Sequence, residues 1–373
     1  MANPLEKGGL IMRKRFFYLL LPVVMIWCIA GGCQPAETSA SLDHGEVPAL
    51  YEVYQDYFPI GAAVNSWTIK SHKELIEKHF NSLTAENEMK FESIQPSPGR
   101  YTFDRADAIV ELAEKNGMLV RGHTLVWHSQ TPAWVFRDEE GRPASRELLL
   151  KRMEEHITTV VSRYRGRVYA WDVVNEAVAD GQGGYLRTDS PWYRIIGPDY
   201  IAHAFIFAHQ ADPEAKLFYN DYSAVDPAKS GKIYRLLKEL LEQGVPVHGV
   251  GIQGHWDIDY PSARQVEAAI KKYASLGLEV QITELDISVY PWQDRRRLQS
   301  KPENRLEKQA ERYRELFEVF RRNKDVVTGV TFWGVADDRT WKDNFPVRGR
   351  KDWPLVFDEE HRPKAAFWKI VDF

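Results

Sequence analysis

The feature that most constrains this chain is an alternation repeated eight times, a short apolar run followed by an amphipathic stretch. The apolar runs predict strands over Phe58–Val64, His79–Glu86, Met118–Trp127, Val168–Glu176, Lys216–Tyr222, Gly249–His255, Glu279–Ile287 and Val327–Val335. Between and after them the pattern predicts helices over Ser71–Lys78, Asp104–Asn116, Ala144–Tyr164, Tyr200–Ala211, Gly231–Gln243, Ala263–Ser275, Glu303–Arg322 and Pro363–Ile370. The fifth helix shows the period: Ile233, Leu236, Leu237, Leu240 and Leu241 are apolar, with Lys232, Arg235, Lys238, Glu239 and Glu242 between them. Glycine follows several of these stretches, at Gly117, Gly244 and Gly277. Strands that are apolar along their length are covered on both faces, so eight such units predict an α/β fold, a single (β/α)₈ barrel over residues 49–373. A doubly wound open sheet is the alternative, but it rarely needs eight units, and Gly61-Ala-Ala-Val-Asn-Ser lacks a phosphate-loop fingerprint.

The N-terminus reads differently. Arg13-Lys14-Arg15 is a basic region, and Phe16 to Ala30 is an unbroken apolar run of 15 residues. A membrane span needs about 20, so residues 1–32 are expected to be an export signal. The run ends in Ala30-Gly31-Gly32-Cys33, which resembles a bacterial lipoprotein cleavage box with the lipid on Cys33. Residues 33–48 then form a polar tether, and the protein is expected at the cell surface or outer membrane. Ordinary cleavage nearby, releasing a free protein, is the alternative. Cys28 and Cys33 are the only cysteines, so no disulfide is expected in the exported body. Formal net charge is −4, and removing the leader's +3 leaves −7, which argues against nucleic acid as a partner. Membrane contact is expected only through the lipid, and the barrel is expected to be a monomer.

In a barrel the C-terminal strand ends converge on one face, where active sites are built. Those ends carry Asn65 and Trp67; Glu86, Asn87 and Lys90; His123, Trp127, His128 and Gln130; Asn175 and Glu176. Asn220, Asp221 and Tyr222; Gln253 and His255; Glu284 and Asp286; and Trp333 and Trp341 complete the ring. Two glutamates stand out, Glu176 closing Tyr169-Ala-Trp-Asp-Val-Val-Asn-Glu176 and Glu284 within Val280-Gln-Ile-Thr-Glu284-Leu-Asp-Ile287. A pair of rigidly held carboxyls is what glycoside hydrolysis uses, one to protonate the leaving oxygen and one to attack or activate water. Amides and imidazoles suit sugar hydroxyls, and indoles suit sugar C–H faces. No His-Glu-x-x-His cluster occurs, and Leu125 to Trp127 separate His123 from His128, so neither a metal nor any other cofactor is expected.

The runs Leu83-Thr-Ala-Glu-Asn-Glu-Met-Lys90, Arg121-Gly-His-Thr-Leu-Val-Trp-His128, Trp171-Asp-Val-Val-Asn-Glu-Ala177 and Ile282-Thr-Glu-Leu-Asp286 resemble family 10 glycoside hydrolases, the endo-β-1,4-xylanases. The resemblance extends from about residue 50 to the end. It implies a (β/α)₈ barrel and retaining hydrolysis of xylan and xylo-oligosaccharides. It further implies that Glu176 is the general acid/base and Glu284 the nucleophile, with the two carboxyls roughly 5–5.5 Å apart. His255 resembles the histidine bonded to the nucleophile, with Asp286 orienting its ring, and Asn175 the amide that grips the sugar 2-hydroxyl. Glu86, Asn87, Lys90, His123, Gln130 and Gln253 match glycone-side residues, and Trp127 shares their wall. Trp333 and Trp341 resemble indoles that roof the sugar at the point of cleavage, and Tyr222 an aglycone-side platform. Trp171, Trp256 and Trp368 are left to core or rim. The competing readings are a β-1,4-glucanase-like activity and a carbohydrate-binding barrel without catalysis. The first is opposed by the bulk of Trp341 and the second by the presence of both glutamates with His255 and Asn175.

Overall fold

The computed structural model describes residues 46–181 and 183–373. The expected leader 1–32, Cys33 and the tether as far as residue 45 lie outside the described residues. Within Glu46–Phe373 the strands are β1 (Ile60–Val64), β2 (Ser82–Ala85), β3 (Leu119–Trp127), β4 (Ala170–Asn175), β5 (Lys216–Asp221), β6 (Gly249–Ile252), β7 (His255–Asp257), β8 (Glu279–Ser288) and β9 (Val327–Phe332). All pairings between them are parallel. The order runs β6-β5-β4-β3-β2-β1-β9-β8, and β6 also pairs β8, so the sheet closes into a barrel of eight staves. The ninth strand, β7, prolongs the stave begun by β6 and pairs with β8, His255 opposite Asp286.

Helices cover the outside, and the strands are apolar along their length because both faces are buried. Leu316, Phe317 and Phe320 of the helix Glu303–Arg322 and Ile233, Leu236, Leu237 and Leu240 of Pro227–Glu242 join one continuous core with the strand residues. Among the described residues no helix is long and apolar enough to cross a membrane.

Most elements start or stop within a few residues of the sequence expectation, and four differences have a local reason. His79 ends the helix Lys73–His79, buried against Phe357 and Phe367, so β2 begins only at Ser82. The first expected helix is two short ones, Thr68–Ser71 and Lys73–His79. The fifth begins at Pro227, four residues early, because the Asp226 carboxylate caps the amides of Ala228 and Lys229, and proline at the first helical position has no amide to leave unpaired. The run Gly249–His255 is interrupted: Gly254 takes φ +85 between β6 and β7. That kink is functional in its geometry, since it leaves both Gln253 and His255 on the wall of the same cleft.

Candidate active site

A cleft of about 930 Å³ opens at the C-terminal strand ends. Its wall includes Glu86, Asn87, Lys90, His123, Trp127, Gln130, Asn175, Glu176, Tyr222, Gln253, His255, Glu284, Trp333 and Trp341. Asp286 is fully buried behind His255 rather than on the wall.

Glu284 sits in the middle of β8 and is 4 % exposed. One carboxylate oxygen, Oε2, lies 3.0 Å from His255 Nε2, and Oε1 accepts from the Asn220 amide at 2.7 Å. His255 in turn holds Asp286 Oδ2 through Nδ1 at 2.9 Å, and Asp286 also receives the Trp341 indole N–H at 2.7 Å and Lys342 Nζ at 3.2 Å. Burial works to lower the His255 pKa, but the Asp286 charge and its hydrogen bond, with Glu284 beyond, raise it to about 9. The ring is therefore an imidazolium at neutral pH, donating from both nitrogens. Burial works to raise the Glu284 pKa, yet the His255 hydrogen bond and the nearby His123 and His255 outweigh it and hold the carboxyl below its ordinary value. Beneath it, Arg121, His123 and Asp172 form a buried ion network, with Arg121 forked on Asp172 and His123 Nδ1 at 2.8 Å from the same carboxylate.

Glu176 follows β4 directly and adopts φ +58, a left-handed backbone that costs a side-chain-bearing residue about 1–2 kcal/mol. Two bonds hold it there: its amide donates to the Asn220 carbonyl at 2.9 Å, and its carbonyl accepts from Arg187 Nε at 3.0 Å. Its carboxyl meets neutral donors: the Trp127 indole at 2.8 Å, the Gln253 amide at 2.9 Å and the Asn175 amide at 3.3 Å. Asn220 Nδ2 also donates to Asn175 Oδ1 at 3.0 Å, so two amides link the surroundings of the two glutamates. Room for Asn220 comes from Gly251, where an added Cβ would stand 2.2 Å from the Asn220 side-chain oxygen.

On one side of the cleft Lys90 Nζ donates to Asn87 at 3.1 Å and Gln130 at 2.8 Å and lies 5.0 Å from the Trp127 ring centre. Glu86 accepts from Asn65 at 2.7 Å. On the other, Tyr222 hydrogen-bonds Asp180 and receives Arg187 at 2.8 Å, with Lys229 Nζ 3.3 Å above its ring. Trp341 stacks on Phe345, ring centres 5.0 Å apart, and meets His255 edge-on at 4.8 Å. Trp333 stands edge-on to His123.

Residues 49–373 match the profile of glycosyl hydrolase family 10. The chain belongs to that family. It is 55 % identical over 364 residues to a β-1,4-xylanase of Dictyoglomus thermophilum, covering 97 % of this chain and all of that one. It is 53 % identical to an endo-1,4-β-xylanase of Geobacillus stearothermophilus, covering 87 % of this chain and 98 % of the relative. The crystal structure of xylanase XynB from Paenibacillus barcinonensis, complexed with a conduramine derivative, superposes with a TM-score of 0.86 at 52 % identity, covering 87 % of this chain and 98 % of that one.

Several residues of this family 10 barrel escaped the reading of its sequence. Asn220 stood among the strand-end residues without a role, although it makes the shorter of the two hydrogen bonds to the Glu284 carboxylate. Lys342, in the single helical turn Trp341–Asp343, and Phe345, Trp292, Asp180 and Tyr260, in loops, line the cleft from segments where no periodicity marks a side chain as facing inward. Trp256, left to core or rim, is buried and also touches the cleft wall. Trp171 is wholly core, packed so closely that a Cβ on Gly122 would lie 2.1 Å from its ring. Asn65 and Trp67 serve the first βα loop instead, Asn65 capping the turn and Trp67 standing half exposed beside His72.

Proposed function

We propose that this chain is an endo-β-1,4-xylanase that cleaves internal bonds of xylan with retention of configuration. The observation that carries the reading is the contrast between the hydrogen-bond partners of two carboxyls in one indole-lined cleft: Glu284 held anionic by an imidazolium, the Glu176 carboxyl bonded by neutral donors. In the first step Glu284 attacks the anomeric carbon as the bond to the leaving oxygen breaks, and Glu176 gives that oxygen its proton. In the second Glu176 takes a proton from water, which displaces Glu284 from the glycosyl-enzyme. His255 and Asn220 keep Glu284 ionised and aimed, Asp286 orients His255, and Asn175 holds the sugar 2-hydroxyl. Lys90, Asn87, Gln130, Glu86, His123 and Gln253 bind the glycone, Trp333 and Trp341 cover the sugar at the cleavage point, and Tyr222 supports the aglycone.

The test is product analysis on xylan and xylo-oligosaccharides with the anomeric configuration followed by NMR. Early release of mixed oligosaccharides in the β-configuration is expected; release of the α-anomer first, or of xylose alone, overturns the reading. The basic region, apolar run and Cys33 support export with an acylated Cys33 as the mature first residue. Mass spectrometry of the mature N-terminus tests this, an unmodified terminus away from Cys33 ruling it out.

A further inference from the structure

Outside the cleft, His72, Asp338 and His361 bring together one ligand-capable atom each, all within 4.8 Å of one another. We propose that they form a binding site for a divalent transition-metal ion of the zinc class, which ties the first βα loop, the loop bearing Trp341 and the C-terminal turn together.

The turn supplies the most telling observation. Asp358-Glu-Glu-His-Arg-Pro363 repeats Asp138-Glu-Glu-Gly-Arg-Pro143 almost residue for residue. Both turns are built the same way. The Asp carboxylate accepts the amide four residues on at 2.8 Å and receives that arginine's Nε, 2.8 Å away in one turn and 2.9 Å in the other. The amide three residues on donates to the Asp carbonyl at 3.1 Å in both. At that third position both backbones are left-handed, φ +78 at Gly141 and +63 at His361. Glycine serves the turn without strain, whereas histidine costs about 1–2 kcal/mol there. The turn itself has no use for a histidine, so the imidazole is held for what it meets. It meets His72, ring centres 4.3 Å apart, and Asp338, with Nε2 3.8 Å from Oδ1.

The other two groups fit the same ion. His72 Nε2 lies 2.8 Å from Asp338 Oδ1. Ligands on a tetrahedral zinc, at about 2.0–2.1 Å from the ion, stand roughly 3.3 Å apart, between the two distances seen. The His72 side chain is 1 % exposed, and those of Asp338 and His361 are 25 % and 34 % exposed, so an ion here has a solvent side for a fourth, water ligand. Ser71 Oγ lies 2.7 Å from His72 Nδ1 and 3.2 Å from the Trp67 carbonyl. With metal on Nε2, the ring proton sits on Nδ1 and donates to Ser71 Oγ, whose own proton turns to Trp67; this is the outer partner a ligating histidine uses to fix its tautomer. Asp338 also lacks what its neighbour has. Asp337 is clamped by Lys364 Nζ at 2.7 Å, while among the described residues the ion pairs of Asp338 are with the two imidazoles. His72 and Asp338 line a cavity of about 400 Å³ whose far walls include Trp333 and Trp341, so an ion would stiffen the segment carrying that roof.

The test uses the full chain, made without a polyhistidine tag, stripped with chelator and titrated calorimetrically with zinc sulfate, with bound metal counted by mass spectrometry. His361→Gly is the central variant, because glycine belongs in the left-handed position and the turn should keep its fold. Asp338→Asn is the second. One zinc per wild-type chain is expected, with a rise in melting temperature on zinc addition. Loss of an outer partner alone weakens a metal about 10- to 100-fold, so His361→Gly should weaken zinc by more than tenfold and abolish the rise, while its metal-free melting temperature matches or exceeds that of the wild type. No stoichiometric zinc on the wild type, or undiminished binding by both variants, overturns the site.

Discussion

The two glutamates are the same residue type, one just past β4 and one within β8, staves with β5 and β6 between them, and the hydrogen-bond partners of their carboxyls differ in one respect above all: charge. Around Glu284 every layer alternates in sign, carboxylate, His255 imidazolium, Asp286, Lys342, with the Arg121–Asp172–His123 network beneath. Around Glu176 the contacts to the carboxyl are an indole and two amides, none of which titrates. A group that must remain an anion gains from fixed opposite charge. A group that must give up and take back a proton in each cycle is better served by partners whose own charge does not change. The difference teaches that role is set by the second layer of residues, since the carboxyls alone are chemically equal.

Removing the nucleophile should have the largest effect. Glu284→Gln is expected to lower turnover of xylan and of activated aryl xylosides alike, on the order of 10⁶-fold, the scale seen when a hydrolase loses its nucleophile. Glu176→Ala should cost xylan turnover about 10²- to 10⁴-fold, the range for a general acid, yet spare the first step for substrates whose leaving group needs no proton. Azide separates the two roles. With Glu176→Ala it intercepts the glycosyl-enzyme and yields a β-xylosyl azide; with a shortened residue 284 it attacks the substrate directly and yields the α-product. The same anomer from both would erase the comparison.

Smaller, and more specific to the charged side, is His255→Gln. Loss of the imidazolium should lower kcat about 10- to 100-fold, the scale of one hydrogen bond to a charged group. The acid limb of the kcat/KM profile should move to higher pH, because Glu284 loses the bond that depresses its pKa. Stability should show the opposite limb. A histidine raised from 6.5 to about 9 on folding contributes fully below pH 6.5 and loses that contribution as pH rises to about 9. Wild-type melting temperature should therefore fall between those pH values more than that of the variant. Parallel curves would mean that the ring is neutral in the folded enzyme.

The barrel was legible because burial on both faces leaves an unmistakable mark, and each stave carries it. The interruption at Gly254 was not, since Gly249-Val-Gly-Ile252 and His255-Trp-Asp257 read as one run and only the left-handed φ of Gly254 separates them. The strand-end residues were legible for the same reason as the strands: topology dictates where they gather. Loop residues follow no such rule. Lys342, in the short turn Trp341–Asp343, is buried on Asp286, and Lys229, in the first turn of the helix Pro227–Glu242 before the apolar period begins, is buried on Asp221; no pattern in the sequence marks either. His361 was invisible for a different reason, because its neighbours His72 and Asp338 come from the opposite end of the domain sequence and from a loop.

The finest test concerns the indole that joins the charged side to the substrate side. Trp341 has three tasks in the structure: its N–H donates to Asp286 at 2.7 Å, its edge meets His255, and its face stacks on Phe345 along the cleft. Glucose differs from xylose by a hydroxymethyl group on C5, and a bulky plane over that carbon should exclude it. Trp341→Ala is expected to narrow the ratio of aryl xylobioside to aryl cellobioside rates about tenfold, the lower end of what one methylene-sized clash is worth. Alanine also removes a donor from Asp286, however, and so loosens His255 as well as the roof. Trp341→Phe separates the two, keeping a plane over the sugar while deleting the N–H. If the roof acts by bulk, phenylalanine should retain most of the discrimination and lower both rates together, with the acid limb shifted in the direction expected for His255→Gln. An unchanged ratio in Trp341→Ala would remove bulk as the source of substrate choice and leave Trp341 as a positioning residue for Asp286.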